Sequence, residues 1–352
     1  MAQARLLPDR GNDSEPHSPV TRIEPIIVSA SRATDIPAWY GEWFADRLRE
    51  GGTIWRNPFS GRPQYVSFSK TRAMVFWTKN PGPFFPYLGR VDDAGIGYYV
   101  QFTLNDYVQE GLEPNLPPLP ERIRTFTLLS DTIGKNRVIW RSDPLLLSDT
   151  LTVEVLLDRI KAVGCRIHPY TRKLVISFAD IARYPWVRRR LGETEGHFRE
   201  FLPDEIVAFS RGLAELNREW GLSLATCAEE LPPGIDLSPF GIVPNRCIDP
   251  VLLRALYPHD TPLDAFLERD RGTAARSPLK DRGQRKQCGC IVAKDIGMYS
   301  TCMNLCRYCY ANRGDEEVKL RYSGIISTGS GVGDHPPRTE AERGERNGSG
   351  SR

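Results

Sequence analysis

Cys302, Cys306 and Cys309 stand in the spacing CxxxCxxC within the run CGCIVAKDIGMYSTCMNLCRYCYAN (288–312), with Tyr308 immediately before the third cysteine. Three thiolates on one tight loop can hold three irons of a [4Fe–4S] cube and leave the fourth iron open to a non-protein ligand. An aromatic before the last thiolate fits a ring lying beside such a cluster. The same thiols could instead bind a structural zinc, with Cys288 or Cys290 as fourth ligand, since zinc takes four protein ligands and tolerates CxxC pairs. Cys288 and Cys290 are two residues apart and point the same way if extended. Together with Cys227 and Cys247 they could hold a second iron–sulfur cluster or a zinc. The competing reading makes Cys227 and Cys290 small buried hydrophobes. Cys165, at a helix end, reads as packing.

The elements that must position these thiols belong to a chain of 352 residues, 40% hydrophobic and 26% charged, with a net charge of +3. That composition excludes fibrous, collagen-like and wholly disordered classes. No window approaches the roughly 20 apolar residues of a membrane span, and the N-terminus lacks the apolar run of a signal peptide. The expectation is therefore a cytoplasmic protein without membrane contact, whose thiols stay reduced, so that a tight cysteine cluster means metal or redox chemistry.

Residues 1–22 and 325–352 are rich in Gly, Ser, Pro and charge and read as disordered tails. Between them, short β-branched or aromatic runs alternate with longer amphipathic stretches. Strands are expected at 26–30, 73–78, 97–104, 137–141, 173–179 and 222–227, and helices at 38–50, 82–94, 121–134, 152–163 and 203–220. The strands are almost continuously apolar, as in a parallel sheet buried on both faces. About six βα units in one domain predict an α/β fold, a single (β/α) barrel-like (TIM barrel) core over 23–287, complete or partial. The Cys-rich segment 288–324 completes the same domain. No GxGxxG or Walker A loop points to an open nucleotide-binding sheet.

Polar residues follow each strand: Ser31, Arg32, Thr34 and Asp35; Thr78, Lys79 and Asn80; Arg141 and Asp143; Asp180; Glu229. In a barrel these ends converge on one mouth, where such folds carry chemistry. Lys79, Arg141, Asp143 and Glu229 are the candidate catalytic groups, and Tyr308, Arg32 and Asp35 the candidate cofactor contacts. Arg32 with Asp35, and Arg141 with Asp143, could equally be local ion pairs that shape a turn.

The CxxxCxΦC loop (Φ aromatic) resembles that of the radical S-adenosylmethionine enzymes. The resemblance implies a [4Fe–4S] cluster whose open iron takes the amino and carboxylate groups of S-adenosylmethionine. It also implies reductive cleavage to a 5′-deoxyadenosyl radical, fed by an electron donor such as a flavodoxin or ferredoxin. The core also resembles an uncharacterised bacterial family, a domain of unknown function with radical-SAM-like C-terminal cysteines. That likeness rests on SASRATDIPAWYGEWF (29–44), VFWTKNP (75–81), QFTLNDY (101–107), VIWRSDP (138–144), CAEE (227–230) and CID (247–249), together with the Cys-rich run, and spans about 24–313. Ser142 departs from the aromatic expected in WRxDP and would alter a pocket wall. The radical enzymes carry their cysteine loop after the first strand, whereas here it follows the barrel. They also bind the methionine amino group with a Gly-Gly-Glu strand, a part that Glu229 would have to take here.

Arg188, Arg189 and Arg190, and the stretch 269–286, are basic enough to suggest nucleic acid. The Cys-Tyr-Ala ending of the loop resembles spore photoproduct lyase, a DNA-repair radical enzyme. Trp39, Trp43, Trp77 and Trp140 could stack on bases, with Trp43 read as core. The small net charge favours solvated surface over nucleic acid as the reading of the arginines. Three functions stand open: an iron–sulfur enzyme of radical S-adenosylmethionine type acting on an unknown substrate, an iron–sulfur redox barrel that does not use S-adenosylmethionine, and a zinc-stabilised nucleic-acid-binding protein.

Overall fold

A computed structural model describes residues 20–270 and 278–328. Most of both expected disordered tails, and residues 271–277 of the basic stretch, lie outside the described residues. The tail boundaries are corrected where they overlap described elements, since Thr21–Ile23 is a strand and residues 325–328 end a helix.

The strands are β1 (Thr21–Ile23), β2 (Ile27–Ala30), β3 (Gly52–Arg56), β4 (Pro63–Ser67), β5 (Ala73–Thr78), β6 (Gly97–Thr103), β7 (Val138–Leu145), β8 (Lys173–Phe178), β9 (Ser223–Thr226), β10 (Ile242–Pro244) and β11 (Lys294–Asp295). The α-helices are α1 (Ile36–Trp39), α2 (Gly41–Arg49), α3 (Phe85–Asp93), α4 (Leu119–Ile133), α5 (Val153–Ile167), α6 (Pro185–Gly192), α7 (Pro203–Trp220), α8 (Pro250–Leu256), α9 (Thr261–Leu267) and α10 (Asp315–Thr328). All six expected strands form, and the helix expected at 38–50 is two, α1 and α2, meeting at Tyr40.

Eight strands make one sheet in the order β10-β9-β8-β7-β6-β5-β2-β11, and every neighbouring pair is parallel. Apart from β11, neighbours in space follow one another in the main chain's winding. Right-handed crossovers between such strands put their helices on a single face. There Phe76, Tyr98, Phe102, Phe126 and Trp140 are fully buried. A second, three-stranded sheet of order β1-β4-β3 sits beside the start of this winding.

The other face buries Ile27, Ala73, Val75, Tyr99, Ile139 and Val175 against residues of 247–267 and 279–291, including α8, α9, Leu279, Cys290 and Ile291. Both faces are thus apolar, which is why the strand sequences do not alternate. Of the barrel-like core expected as complete or partial, the described residues show the large parallel sheet with its helices, and among them no ladder joins β10 to β11. The inner-face stretch lies between these edges in sequence, held by Ile291 N–H to Ile248 O at 3.3 Å and Asp281 N–H to Cys290 O at 2.9 Å. Among the described residues no helix is long and apolar enough to cross a membrane.

Ile291 is fully buried at the centre of that inner covering. Ile291→Ala is expected to cost about 2–5 kcal/mol through lost burial and a residual cavity. A fall in the urea midpoint at unchanged m-value would show it.

Candidate functional site

One cavity of about 1390 Å³ opens at the strands' C-terminal ends, and Cys227, Cys247, Cys288, Cys290, Cys302, Cys306 and Cys309 all line it. Lys79, Arg141, Asp143, Glu229, Arg32, Asp35 and Tyr308 line it too. The strand exits and the cysteine loop therefore meet as the sequence pattern predicts. Cys165 does not join them and, contrary to its reading as packing, is exposed on α5.

The meeting depends on β11. Its two residues pair in parallel with β2, Lys294 opposite Val28 and Asp295 opposite Ser29, so the cysteine loop leaves the sheet beside the loop that follows the first long-sheet strand. The Asp295 carboxylate accepts Ser29 Oγ and Arg32 N at 2.8 Å each, and Gly297 N at 2.8 Å. Gly297 is required by close approach: a Cβ there would stand 1.9 Å from Ser31 Oγ and 2.5 Å from Ser31 Cβ.

Beyond β11 the loop is fastened from several directions. Tyr40 donates its hydroxyl to Thr301 O at 2.6 Å, Asn115 its amide to Met303 O at 2.7 Å, and Asn312 its amide to Cys302 O at 2.7 Å. Arg190 of α6 donates to Cys309 O. Asp35 caps α1 by accepting Ala38 N, and its second oxygen accepts Lys79 N and Asn304 Nδ2 at 2.8 Å each. Burial still raises the Asp35 carboxyl above its ordinary range, against these bonds. Asp35 thus joins two strand exits to the loop, and its oxygens are occupied within the protein.

Tyr308 and Lys79 belong to a buried network that sequence reasoning missed, because its centre, Glu113, lies in a loop with no motif. Glu113 pairs with Lys79 at 2.9 Å and Arg122 at 3.1 Å, and it accepts the Tyr308 hydroxyl. Lys79 also donates to Tyr308 at 2.8 Å, and its ammonium stands 5.2 Å from that ring's centroid. Burial pushes Glu113 up, but Lys79 and Arg122 outweigh it and hold the carboxyl below its ordinary value. Tyr308 therefore anchors the loop through its hydroxyl while its ring packs edge-on against Tyr107. Burial pushes the Cys302 and Cys306 thiols well up, with neighbouring thiols and carboxylates adding to the effect.

Arg141 points at the other thiols. It pairs with Asp143 and donates Nη1 to Gln101 Oε1 at 3.3 Å and to Cys247 Sγ at 3.1 Å. Asp143 also accepts Ser177 Oγ. Cys247 Sγ lies 3.4 Å from Cys227 Sγ, and hydrogen bonds from Cys227 and Cys290 hold the Cys247 thiol well below its ordinary value. Arg32 pairs with Asp281 at 3.1 Å and stands 5.4 Å from the Trp77 ring centroid. Its partner is Asp281 rather than Asp35. Glu229 accepts Phe178 N at 3.0 Å, and burial raises its carboxyl to about 8, with Asp143 and Asp180 adding to the rise.

Other expectations are redistributed. Ser142 faces the helix side with Trp140, Leu156 and Ile160, so it cannot alter the main cavity's wall. Arg188 and Arg189 are exposed whereas Arg190 is buried against the loop. Of Trp39, Trp43, Trp77 and Trp140, only Trp77 lines the cavity. In the described part of the basic stretch, Arg285 is committed to Asp180 at 2.6 Å and Lys280 to Cys288 O at 2.6 Å.

The donor set is rich in sulfur, which suits iron–sulfur clusters or zinc over magnesium or calcium. Cys302, Cys306 and Cys309 could hold a cluster, and Cys227, Cys247, Cys288 and Cys290 a second centre. Among the described residues no three His, Cys, Asp or Glu side chains are already gathered as one ion's ligands.

Residues 27–311 match the model of a family described as Domain of unknown function (DUF1848). No curated protein and no solved structure matches the chain.

Two carboxyls give predictions of opposite sign. Glu113→Ala strands Lys79 and Arg122 in the interior and is expected to cost about 3–5 kcal/mol in urea unfolding. Glu229 has a folded pKa above its unfolded one, so its contribution to stability is full below about pH 4.5 and is lost as pH rises through about 8. Glu229→Gln should flatten the decline in stability across that window, and unfolding measured at a series of pH values reads it directly.

Proposed function

The chain belongs to the DUF1848 family, and from that premise we propose that it is an iron–sulfur enzyme of radical S-adenosylmethionine type. The observation that carries this reading is the place of β11. The radical enzymes that the loop resembles carry CxxxCxΦC after their first strand; here the corresponding strand comes last in the chain yet sits beside β2 at the start of the sheet. A cysteine loop that comes last in the chain but leaves the sheet beside β2 is what supports the reading.

The assigned roles follow from the contacts. Cys302, Cys306 and Cys309 would hold a [4Fe–4S] cluster by three irons. The chemistry it supplies is one-electron reduction of S-adenosylmethionine to methionine and a 5′-deoxyadenosyl radical, the electron coming from a flavodoxin or ferredoxin. Lys79, Asp35 and Tyr308 position the loop through Glu113 and Asn304. Glu229, whose carboxyl burial raises to about 8, is the group suited to meet the methionine ammonium, which would favour its carboxylate form. Arg141 and Asp143 are assigned to the second group of thiols rather than to substrate. A cavity of about 1390 Å³ exceeds the roughly 300–1,000 Å³ of an ordinary ligand pocket, leaving room for a cofactor and a substrate together.

Anaerobic reconstitution with iron and sulfide, then reduction with S-adenosylmethionine present, tests the reading. The expected outcome is a brown protein that releases 5′-deoxyadenosine, and loss of both iron at this site and that product in Cys306→Ala. A cluster with no 5′-deoxyadenosine would favour a redox protein that does not use S-adenosylmethionine. Zinc in place of iron would favour the zinc-stabilised protein.

A further inference from the structure

We propose that Cys227, Cys247, Cys288 and Cys290 form a second, closed metal centre: a tetrathiolate site that holds an iron–sulfur cluster or a zinc ion. The inference does not depend on how the Cys302 loop is used.

Three separate parts of the chain deliver these sulfurs: the end of β9, the turn after β10 and the segment before β11. They run as a chain of contacts. Cys227 Sγ and Cys247 Sγ are 3.4 Å apart, Cys290 Sγ accepts the Cys247 backbone N–H at 3.1 Å, and the Cys288 thiol lies close enough to Cys290 for each to shift the other's ionisation. Gathering the sulfurs round one centre calls for χ1 changes, each of which swings a cysteine sulfur by roughly 3 Å.

The surroundings distinguish this group from cysteines that merely pack. Cys247 Sγ accepts Arg141 Nη1 at 3.1 Å and Asn245 Nδ2 at 3.3 Å. Cys290 Sγ accepts the backbone N–H of Cys247 at 3.1 Å and of Ile248 at 3.4 Å. Thiols buried as small hydrophobes need no such donors, whereas N–H groups aimed at sulfur stabilise thiolates and tune the metals they bind.

Hydrogen-bond donors beside the group point the same way. Four thiolates around zinc, or around a cube of charge +2, leave a net charge of about −2, spread over sulfurs that accept from nearby N–H groups. Arg141 and Arg32 flank the group, each paired to one aspartate, Asp143 and Asp281. Arg141 still donates to Cys247. Arg32 keeps Nη2 buried and without a hydrogen-bond partner, in a side chain electrostatically linked to Cys290 and Cys247. A sulfur of the bound centre would supply the acceptor that this nitrogen lacks. With four protein ligands the centre has no open position, which sets it apart from the Cys302 loop.

The test uses the full chain carrying Cys302→Ala, Cys306→Ala and Cys309→Ala together, purified anaerobically and assayed for iron, sulfide and zinc. About one centre per chain is expected to remain, iron with sulfide marking a cluster and zinc alone marking a single ion. Adding Cys290→Ala, or separately Cys288→Ala at the edge of the group, should remove it, with far-UV circular dichroism verifying that the chains are folded. Cobalt(II) added to the metal-free triple variant gives a readout apart from activity, since a tetrathiolate site produces visible absorption that Cys288→Ala weakens. A triple variant that binds none of these metals, a Cys227–Cys247 disulfide in their place, or metal retained after both further substitutions would overturn the proposal. Iron missing only from the Cys302 loop would count against the other reading and leave this one standing.

Discussion

Two residues, Lys294 and Asp295, bring the far end of the chain back to its beginning, and the site depends on that junction. Backbone pairing over so short a strand is weak by itself, and a two-residue edge strand would ordinarily fray. Asp295 reinforces it by accepting from Ser29, Arg32 and Gly297. Gly297 then lets the chain pass against Ser31 where any side chain would collide. The result fixes the two exits, after β2 and after β11, as neighbours. Every later contact of the cysteine loop, from Tyr40 to Arg190, builds on that placement.

The sheet face around this junction divides into a dry half and a charged half. Below, Ile27, Val75, Ile139 and Val175 pack on the covering residues of 247–267 and 279–291. Toward the strand ends the same inward row changes from apolar to polar: Ile139 gives way to Arg141, Tyr99 to Gln101, Val175 to Ser177. Because side chains alternate with period two, each change happens on the cavity side while the helix side stays apolar through Trp140 and Phe102. Buried ionic groups are costly unless satisfied, and here Glu113 takes two cations, Asp143 takes Arg141 and Ser177, and Arg32 takes Asp281. The cations and carboxylates of the cavity are therefore mostly committed to each other. The sulfurs and Glu229 remain as the groups best placed to meet something new.

Much of this was legible in the sequence, for identifiable reasons. The six strands announced themselves by unbroken apolar runs, and α7 by Ile206, Phe209, Leu213 and Leu216 at helical spacing, the first three buried and Leu216 half-buried. The convergence of strand exits and cysteines followed from parallel topology. What escaped was carried by tertiary contact. Nothing local marks Lys294–Asp295 as a strand, since its partner lies some 260 residues away, and Glu113 gains its meaning only from Lys79, Arg122 and Tyr308. Arg141 and Asp143 were recognisable as ionisable groups at an exit, but which thiols Arg141 faced was set by residues of 245–267 and 279–291. The sequence leaves open whether the barrel is complete or partial for a similar cause: the strand count does not reveal that the described residues between β10 and β11 pack on the inner face.

Local strain shows how the cysteine segment is held. Within the cysteine segment Ser300 and Leu305 adopt left-handed backbone, φ 57° and 53°, without being glycine. Such a conformation costs about 1–2 kcal/mol for an ordinary residue and persists only where the surroundings over-determine it. Those surroundings combine bonds within the segment with contacts to the core. Ser300 N donates to Ala311 O, Arg307 N donates to Leu112 O, and Leu305 is buried between Asn304, tied to Asp35, and Cys306. Bonds within the loop and contacts from the sheet and its exits together hold the three thiols in place. Anchors from α1 to α6 precede the cysteines in sequence, while Asn312 and α10 follow them, through Asn312 to Cys302 O at 2.7 Å, Arg307 to Asp315 at 3.0 Å and Arg321 to Met298 Sδ at 3.1 Å, so that the loop's sulfurs are positioned from both sides.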